Sequence, residues 1–250
     1  MINFAHRGYS GLYPENTMKA FKKAIKVGAT GIELDVHKTK DNKLVVIHDE
    51  KVDRVFLGRG YVKDYTLKQI QKLKCRKLKY RFDRECYIPT LEEVLILIKD
   101  LNIVLNIEIK NNNIYYENIE KDVIDLVNKY DMIKNVIISS FNHESLLICK
   151  EINSKIETGL LYSKMIPDII SYSEKFKVDA LHPSLFLVNE EYIQNAHKKG
   201  LKVNVYTVNY YELMIQLNKW NIDGIITNYP NLMNKLWKIY IVMSIYIRIG

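Results

Sequence analysis

Cysteine is scarce in this chain, and its few cysteines follow no disulfide or metal-site pattern. Cys75, Cys86 and Cys149 are odd in number and lack Cys-x-x-Cys spacing. These features argue against a disulfide framework and against a zinc site. A secretory signal is also missing, because the first six residues run directly into a short apolar strand pattern. We therefore expect a protein that is not secreted and that works in a reducing cytoplasm.

Signatures of nucleic-acid binding are missing as well. The chain has no RNP, helix-turn-helix or zinc-finger motif. Its formal net charge of +8 would attract phosphate esters, nucleic acid or acidic membrane surfaces alike. Charge does not distinguish these partners, so the missing motifs decide against nucleic acid. The composition, 48% apolar and 26% charged, is ordinary for a soluble protein with a large core.

Short β-branched runs alternate with amphipathic helical stretches from residue 1 to residue 236, which is typical of a parallel sheet built from βα units. Eight such units in this length predict a single-domain TIM barrel over 1–236, with its active site at the carboxyl ends of the strands. The predicted strands are 2–6, 31–37, 103–110, 135–140, 158–162, 180–182, 202–208 and 224–227. The predicted helices are 16–27, 91–99, 119–130, 144–152, 167–176, 190–199 and 211–220, with a closing helix after Pro230.

Two segments lie outside this pattern. An irregular insertion at about 50–88, between the second strand and its helix, is either a solvated surface or a region that attracts anionic headgroups or docks on lipid. An apolar tail at 237–250 would reach only about 15 Å as a helix over 239–247, half of the roughly 30 Å core of a bilayer. The tail covers the barrel floor, frays, or makes a weak contact with one membrane face. The basic run of the insertion comprises Lys72, Lys74, Arg76, Lys77, Lys79, Arg81 and Arg84.

Acidic and apolar residues alternate on the second predicted strand. Glu33, Asp35 and His37 alternate with apolar residues at 32, 34 and 36, so the two sets point to opposite faces. The apolar face suits the helix-packed outer wall, which leaves the acids facing the barrel mouth. The third strand repeats this pattern, with Glu108 and Lys110 facing inward. Three carboxylates are therefore expected in one cavity.

A divalent cation is the natural counter-charge for Glu33, Asp35 and Glu108. Buried carboxylates without partners are costly and repel one another. Ligands that are all oxygen favour Mg²⁺ or Ca²⁺ over zinc. The simpler interpretation is that Glu33 and Asp35 only form salt bridges across the barrel, but a third acid argues against it.

A hairpin is predicted to bring a histidine to these acids. The dipeptide Asp41-Asn42 suits a tight two-residue turn. If Lys40 pairs with Lys43 around that turn, counting back along both strands sets Asp35 opposite His48, on the same face.

Two histidines then flank the acids, because His6 ends the first strand and approaches from another side. Imidazole exchanges a proton near neutral pH, so His6 and His48 suit general acid–base catalysis, although either alone would be read as structural. Arg7 and Lys110 supply positive charge for phosphoryl oxygens. The pattern indicates a metal site that cleaves phosphodiesters.

The segment Pro14-Glu15-Asn16-Thr17 precedes an amphipathic helix, and Asn16 or Thr17 is a plausible N-cap. Capping does not require Glu15, which we expect to hydrogen-bond the site.

With these residues in hand, the chain resembles the glycerophosphodiester phosphodiesterase family. The resemblance covers nearly everything to about residue 236, in order and with family-like spacing. It is carried by His6-Arg7-Gly8, Pro14-Glu15-Asn16-Thr17, Glu33-Leu34-Asp35-Val36, Val46-Ile47-His48-Asp49, Ile88-Pro89-Thr90-Leu91-Glu92-Glu93, Glu108-Ile109-Lys110, Ser139-Ser140-Phe141, Thr207-Val208-Asn209 and Asp223-Gly224-Ile225-Ile226-Thr227.

The resemblance implies a TIM barrel that hydrolyses glycerophosphodiesters, small molecules, to sn-glycerol 3-phosphate and an alcohol. It implies attack of the glycerol hydroxyl on phosphorus and a cyclic phosphate that water then opens. By the same resemblance, Glu33, Asp35 and Glu108 hold Mg²⁺ or Ca²⁺, His6 and His48 are the acid–base pair, Arg7 and Lys110 bind phosphate, and Glu15, Asn16 and Tyr206 support the site.

Two positions depart from the family pattern. Tyr206 stands where the family usually has Trp, and Asn228 stands where Asp is frequent. We expect both departures to affect substrate preference more than the existence of activity.

Two other functions are alternatives to hydrolysis of soluble glycerophosphodiesters. A lysophospholipase D type enzyme would use the apolar tail and the basic insertion as membrane contacts. A non-catalytic binding barrel is disfavoured because the acid, imidazole and cationic positions are all intact. The alcohol headgroup and the oligomeric state stay open.

Overall fold

A computed structural model describes residues 1–233, and these form a closed barrel of eight parallel strands with helices around it. The strands are β1 (Ile2–His6), β2 (Gly31–Lys38), β3 (Leu44–Val46), β4 (Val104–Ile109), β5 (Val136–Ser140), β6 (Glu157–Tyr162), β7 (Ala180–Pro183), β8 (Lys202–Tyr206) and β9 (Gly224–Thr227). The helices are α1 (Met18–Lys26), α2 (Leu67–Ile70), α3 (Leu91–Ile98), α4 (Ile119–Lys129), α5 (His143–Ile152), α6 (Ile169–Glu174), α7 (Glu190–Lys198) and α8 (Tyr211–Lys219).

Strand pairing closes the sheet on itself. The order around the ring is β1, β2, β4, β5, β6, β7, β8 and β9, and β9 pairs again with β1. Strand β3 is antiparallel to β2 and lies outside the ring. This confirms the predicted TIM barrel. The predicted boundaries of the eight barrel strands lie within one residue of the observed ones. The exception is the strand predicted over 202–208, which ends at Tyr206.

Local sequence signals explain where the helices begin. Thr17 caps α1, because its hydroxyl accepts the backbone N–H of Ala20 at 3.2 Å. Helix α3 begins with a capping box, in which Thr90 and Glu93 each accept the other's backbone N–H, at 3.1 and 2.7 Å. These caps fix the chain directions at which two active-site loops enter their helices.

The barrel has an apolar outer layer and a mixed interior. Outward-facing strand residues such as Leu34 and Ile107 are fully buried against the helices, as period-two alternation predicts. Inside the ring, Phe4, Ile137 and Ile226 pack together. Buried polar side chains share that interior, among them Asn106, Ser139, His182 and Asn204. The polar layer continues upward into the mouth of the barrel.

The predicted hairpin register is wrong by one residue. Thr39 and Lys43 bracket a three-residue loop, and Val36 pairs with Val46. Asn42 adopts a left-handed conformation with φ of 56°. A two-residue type I′ turn over Asp41-Asn42 would need positive φ at both residues, whereas a three-residue loop commonly needs it only at its last residue, and of these two residues only Asn42 has it.

The insertion buries a small apolar cluster beside the barrel. Val52, Phe56, Val62 and Ile70 pack with Val45 and other residues near β3. The insertion is thus anchored on the hairpin, which itself leads to the barrel mouth. None of the helices within 1–233 is long and apolar enough to span a bilayer. The predicted tail at 237–250, and the closing helix beyond residue 233, lie outside the described residues.

Candidate active site

A cavity of about 190 Å³ opens at the carboxyl ends of the barrel strands. Its polar wall includes His6, Arg7, Glu33, His48 and Glu108. Because β1, β2 and β4 are neighbours in the ring, residues at their carboxyl ends converge there. The cavity is completed by Asn106, Phe141, Leu161, Tyr206, Thr207 and Ile226.

Three buried carboxylates lie together at the bottom of this cavity. Oxygens of Glu33, Asp35 and Glu108 are all within 4.8 Å of one another. The register explains the convergence, since Asp35 of β2 pairs with Glu108 of β4. The three residues are 0 to 8% exposed, so solvent screens the repulsion between their charges only weakly.

Burial, mutual repulsion and neighbouring positive charges shift the pKa values of the three carboxylates. Burial, and then the charges of Asp35 and Glu108, raise the pKa of Glu33 well above its usual value. Burial by itself would raise the pKa of Asp35, but the positive charges of Lys110 and Arg7 outweigh it and lower that pKa. Burial also raises the pKa of Glu108.

The donor set fits a hard divalent cation. Oδ1 of Asp35 is buried and accepts no hydrogen bond from any described residue. An oxygen with unused lone pairs beside two further carboxylates is what Mg²⁺ and Ca²⁺ require, and all the donors are oxygen.

Two cations flank the acids. Nζ of Lys110 donates to Oε1 of Glu108 at 2.7 Å and lies 3.7 Å from Oδ1 of Asp35. The backbone N–H of Arg7 donates to Oε2 of Glu33 at 2.9 Å, and its Nε lies 3.5 Å from Oδ2 of Asp35. Asp35 therefore forms the salt bridges of the simpler interpretation, whereas the contact of Glu33 with Arg7 is a backbone hydrogen bond, and two cations face three acids.

A tight turn presents Arg7 to the acids. Arg7 and Gly8 both have positive φ, at 55° and 78°. A Cβ at Gly8 would lie 2.7 Å from the backbone carbon of Ala20, so only glycine fits against the start of α1. The His-Arg-Gly sequence thus holds the β1 end against the helix that follows it.

The Pro-Glu-Asn-Thr segment caps α1 and also contributes side chains to the site. Thr17 is the N-cap, whereas Asn16 is buried and donates from Nδ2 to Oδ2 of Asp35 at 2.8 Å. Oε1 of Glu15 accepts from Nη1 of Arg7 at 2.9 Å. Two of the three supporting residues named from the sequence, Glu15 and Asn16, therefore contact members of the site.

His6 is held by an amide. Its Nδ1 lies 2.6 Å from Oδ1 of Asn228 and donates to it, because that oxygen only accepts. The other nitrogen, Nε2, then carries a lone pair and lies 3.9 Å from Oε2 of Glu33. Burial, reinforced by the charge of Arg7, lowers the pKa of His6 to about 4.

His48 is held by a carboxylate instead. Its Nδ1 donates to Oδ1 of Asp49 at 2.7 Å, and its Nε2 lies 4.0 Å from Oδ1 of Asp35. The wrong register does not move His48 out of the site, because β3 ends at Val46 and strand alternation no longer applies beyond it. Opposite Asp35 lies Ile47, whose N–H donates to the carbonyl of Asp35 at 3.0 Å.

An arginine of the insertion, Arg54, bonds the His-Asp motif at 48–49 and the Pro-Glu-Asn-Thr segment. Arg54 donates from Nε to Asp49 at 2.5 Å, and its two terminal nitrogens reach the two oxygens of Glu15 at 2.9 and 2.7 Å. Arg54 therefore connects the carboxylate that holds His48 with the carboxylate that holds Arg7. Sequence reasoning missed Arg54, because Glu15 lies 39 residues away, and it missed the role of Asp49 although that residue directly follows His48.

Aromatic side chains form the opposite wall. Tyr206 donates from its hydroxyl to the carbonyl of Tyr162 at 2.9 Å, and its ring meets Phe141 edge-on at 6.2 Å. Leu161 and Ile226 complete an apolar surface across from the acids. The cavity is thus lined by charged and imidazole groups on one side and by apolar groups on the other.

A larger depression of about 540 Å³ lies between β3, α3 and α4, but it lacks convergent free groups. Its Lys129 donates to Glu92 at 2.6 Å, and this pair is exposed. The smaller cavity at the barrel mouth is therefore the candidate active site.

Comparison with known proteins identifies the family of this chain. The model of the glycerophosphoryl diester phosphodiesterase family matches residues 6–232. The chain belongs to that family. A glycerophosphodiester phosphodiesterase of Caldanaerobacter subterraneus subsp. tengcongensis is 44% identical over 227 residues, which cover 90% of this chain and 93% of the relative.

Solved structures of the family share the fold. A glycerophosphodiester phosphodiesterase of Thermotoga maritima is 33% identical with a TM-score of 0.76, covering 94% of this chain and 98% of the other. An Oleispira antarctica phosphodiesterase, solved with the product sn-glycerol 3-phosphate, is 25% identical with a TM-score of 0.83, covering 93% and 94%.

Proposed function

We propose that this enzyme hydrolyses glycerophosphodiesters to sn-glycerol 3-phosphate and an alcohol. The observation that carries the proposal is one cluster of three carboxylates, two histidines and two cations at the mouth of the barrel, in a chain that belongs to this family. The product complex of the Oleispira relative supports a substrate of this class.

Glu33, Asp35 and Glu108 would hold Mg²⁺ or Ca²⁺ through carboxylate oxygens. The cation, when bound, supplies charge stabilisation for the phosphoryl oxygens and makes a nearby hydroxyl more acidic. Asn16 holds Asp35 by its amide, which leaves the other oxygen of that carboxylate available.

Arg7 and Lys110 bind the phosphate in this proposal. The burial of Lys110 would lower its pKa, but Glu108 and Asp35 raise it, so the ammonium keeps its charge. Glu15 keeps the guanidinium of Arg7 at the rim, where its remaining N–H groups can meet a phosphoryl oxygen.

His6 and His48 exchange the protons. Nε2 of His6 accepts the proton of the glycerol hydroxyl as that oxygen bonds to phosphorus, and His48 donates a proton to the alcohol oxygen as its bond to phosphorus breaks. The cyclic glycerol phosphate is then opened by water, with His48 taking a proton from water and His6 returning one to the glycerol oxygen. The carboxylate of Asp49 accepts from Nδ1 of His48 and orients its ring, whereas burial keeps His6 unprotonated even though its hydrogen bond to Asn228 acts in the opposite direction.

The test is release of glycerol 3-phosphate from glycerophosphocholine, glycerophosphoethanolamine and glycerophosphoinositol, with and without a metal chelator. We expect turnover of at least one diester and its loss on chelation. Turnover that survives complete chelation would contradict the metal assignment, and no release from any of the three would contradict the substrate class.

A further inference from the structure

Residues 77–84 of the insertion, called here the 77–84 loop, interleave basic and large apolar side chains at the surface. Leu78 is 71% exposed and Phe82 is 82% exposed. Lys77, Lys79 and Arg84 are exposed as well. Scattered apolar side chains are normal at a surface, but an exposed pair surrounded by cations marks an interaction site.

The fold itself turns this pair outward. Between them, Tyr80 is only 8% exposed and packs with Cys75 and Cys86. The hydroxyl of Tyr80 donates to the carbonyl of Leu12 at 3.2 Å. Because Tyr80 is anchored inward, the residues two before and two after it project to solvent.

The positive charge of the loop is not cancelled by its neighbours. Residues 72–84 contain seven basic residues and one acid, Asp83. Asp83 and the following Glu85 are already paired with Lys19 of α1, at 3.1 and 3.3 Å. Glu85 also pairs with Lys22 at 2.7 Å. The cations of the loop therefore face solvent as a net positive surface.

The loop lies beside the catalytic mouth. Leu12, which Tyr80 contacts, is 54% exposed and belongs to the β1–α1 connection that carries Arg7 and Glu15. A surface that holds Leu78 and Phe82 would therefore also approach the side of the cavity that binds phosphate.

We propose that the 77–84 loop docks the enzyme on an anionic lipid bilayer. Leu78 and Phe82 enter the interfacial region, while Lys77, Lys79 and Arg84 contact the phosphate headgroups. A nucleic acid would use the cations but would leave the aliphatic Leu78 without a partner, which favours the bilayer. This inference goes beyond the proposed hydrolysis and holds whichever diester the enzyme cleaves.

Flotation of the full-length chain with vesicles tests the proposal. We expect binding to vesicles of 70% phosphatidylcholine and 30% phosphatidylserine and little binding to pure phosphatidylcholine. The charge variant Lys77→Gln/Lys79→Gln/Arg84→Gln and the apolar variant Leu78→Ser/Phe82→Ser should each lose about tenfold or more in partition coefficient.

Matched controls carry equal changes elsewhere on the surface. Ile148→Ser/Ile152→Ser removes an exposed apolar pair of α5 with the same spacing, and Lys134→Gln/Lys155→Gln/Lys199→Gln removes the same number of exposed cations. Both controls should bind like the unmodified enzyme. If the loop variants bind vesicles as well as the controls do, the proposal is wrong. It is also wrong if a single-stranded oligonucleotide displaces the vesicles from the unmodified enzyme and the apolar variant still binds that oligonucleotide.

A label at the loop gives a second, independent readout. Cys75, Cys86 and Cys149 are buried, so Leu78→Cys can be labelled selectively with an environment-sensitive fluorophore. We expect a blue shift on addition of the anionic vesicles and none with pure phosphatidylcholine. Vesicle binding without any shift would place the contact elsewhere and overturn the assignment.

Discussion

Arg54 and Glu15 are joined by two hydrogen bonds across 39 residues of sequence, with Nη1 donating to Oε2 at 2.9 Å and Nη2 to Oε1 at 2.7 Å. The same guanidinium bonds Asp49, which accepts from Nδ1 of His48. One side chain of the insertion therefore fixes the carboxylate that contacts His48 and the carboxylate that contacts Arg7. The insertion is tied to the chemistry, not only to the hairpin.

Replacing Arg54 by Ala should lower kcat by about 10- to 100-fold, because Glu15 and Asp49 lose their shared cation and both groups they hold lose their alignment. Lys at this position keeps the charge but lacks the planar guanidinium that reaches two carboxylates. The kcat of Arg54→Lys should therefore lie between those of Arg54→Ala and the unmodified enzyme. Steady-state kinetics on the best diester substrate measure the effect. Arg59→Ala, an exposed change in the same insertion, is the control and should retain full activity. Equal rates for Arg54→Ala and Arg59→Ala would contradict the bracing role.

The two histidines should each be indispensable for proton transfer. His6→Ala and His48→Ala are expected to lower kcat by at least about 10²-fold, the scale typical of acid–base groups. Cation binding should survive in both, since neither imidazole belongs to the carboxylate trio. His197→Ala is the control, because His197 pairs with Asp223 on the surface of α7. Rates like those of the unmodified enzyme in both site variants would refute the proton-transfer assignment.

Strand periodicity was enough to bring Glu33, Asp35 and Glu108 to one cavity, because every second residue of a barrel strand faces inward. Turn geometry was not sufficient to set the hairpin register, because a two-residue type I′ turn needs positive φ at both Asp41 and Asn42, and only Asn42 of the two adopts it. Arg54 could not be assigned at all. Its partners lie 5 and 39 residues away, and only the folded insertion brings them together.

The carboxylate trio predicts stabilisation by divalent cations. Adding Mg²⁺ or Ca²⁺ to chelator-treated enzyme relieves repulsion among three buried acids, and a ligand at about 100 times its Kd contributes about 2.7 kcal/mol. For a chain of this length that corresponds to a rise in Tm of roughly 5 to 10 °C. Differential scanning calorimetry should show the rise in the unmodified enzyme and its loss in Asp35→Asn.

A matched change distinguishes this site from general screening of acidic charge. Glu151→Gln removes an exposed acid of α5 and should keep the full cation-dependent rise in Tm. If Asp35→Asn and Glu151→Gln respond equally to the cation, the trio does not hold it.

The amide of Asn228 predicts how the pH profile changes when it becomes a carboxylate. Asn228 gives His6 a hydrogen bond without a charge, and burial keeps the pKa of His6 at about 4. A carboxylate in its place favours the imidazolium and raises that pKa by about 1 to 3 units. Because His6 must be unprotonated to accept the hydroxyl proton, Asn228→Asp should move the acidic limb of kcat/KM to higher pH.

At pH 5 the variant should lose activity that the unmodified enzyme retains. The control Asn195→Asp adds the same charge on the surface of α7 and should leave the acidic limb at its original pH. An unshifted acidic limb in Asn228→Asp would mean that His6 is not the group whose protonation ends catalysis.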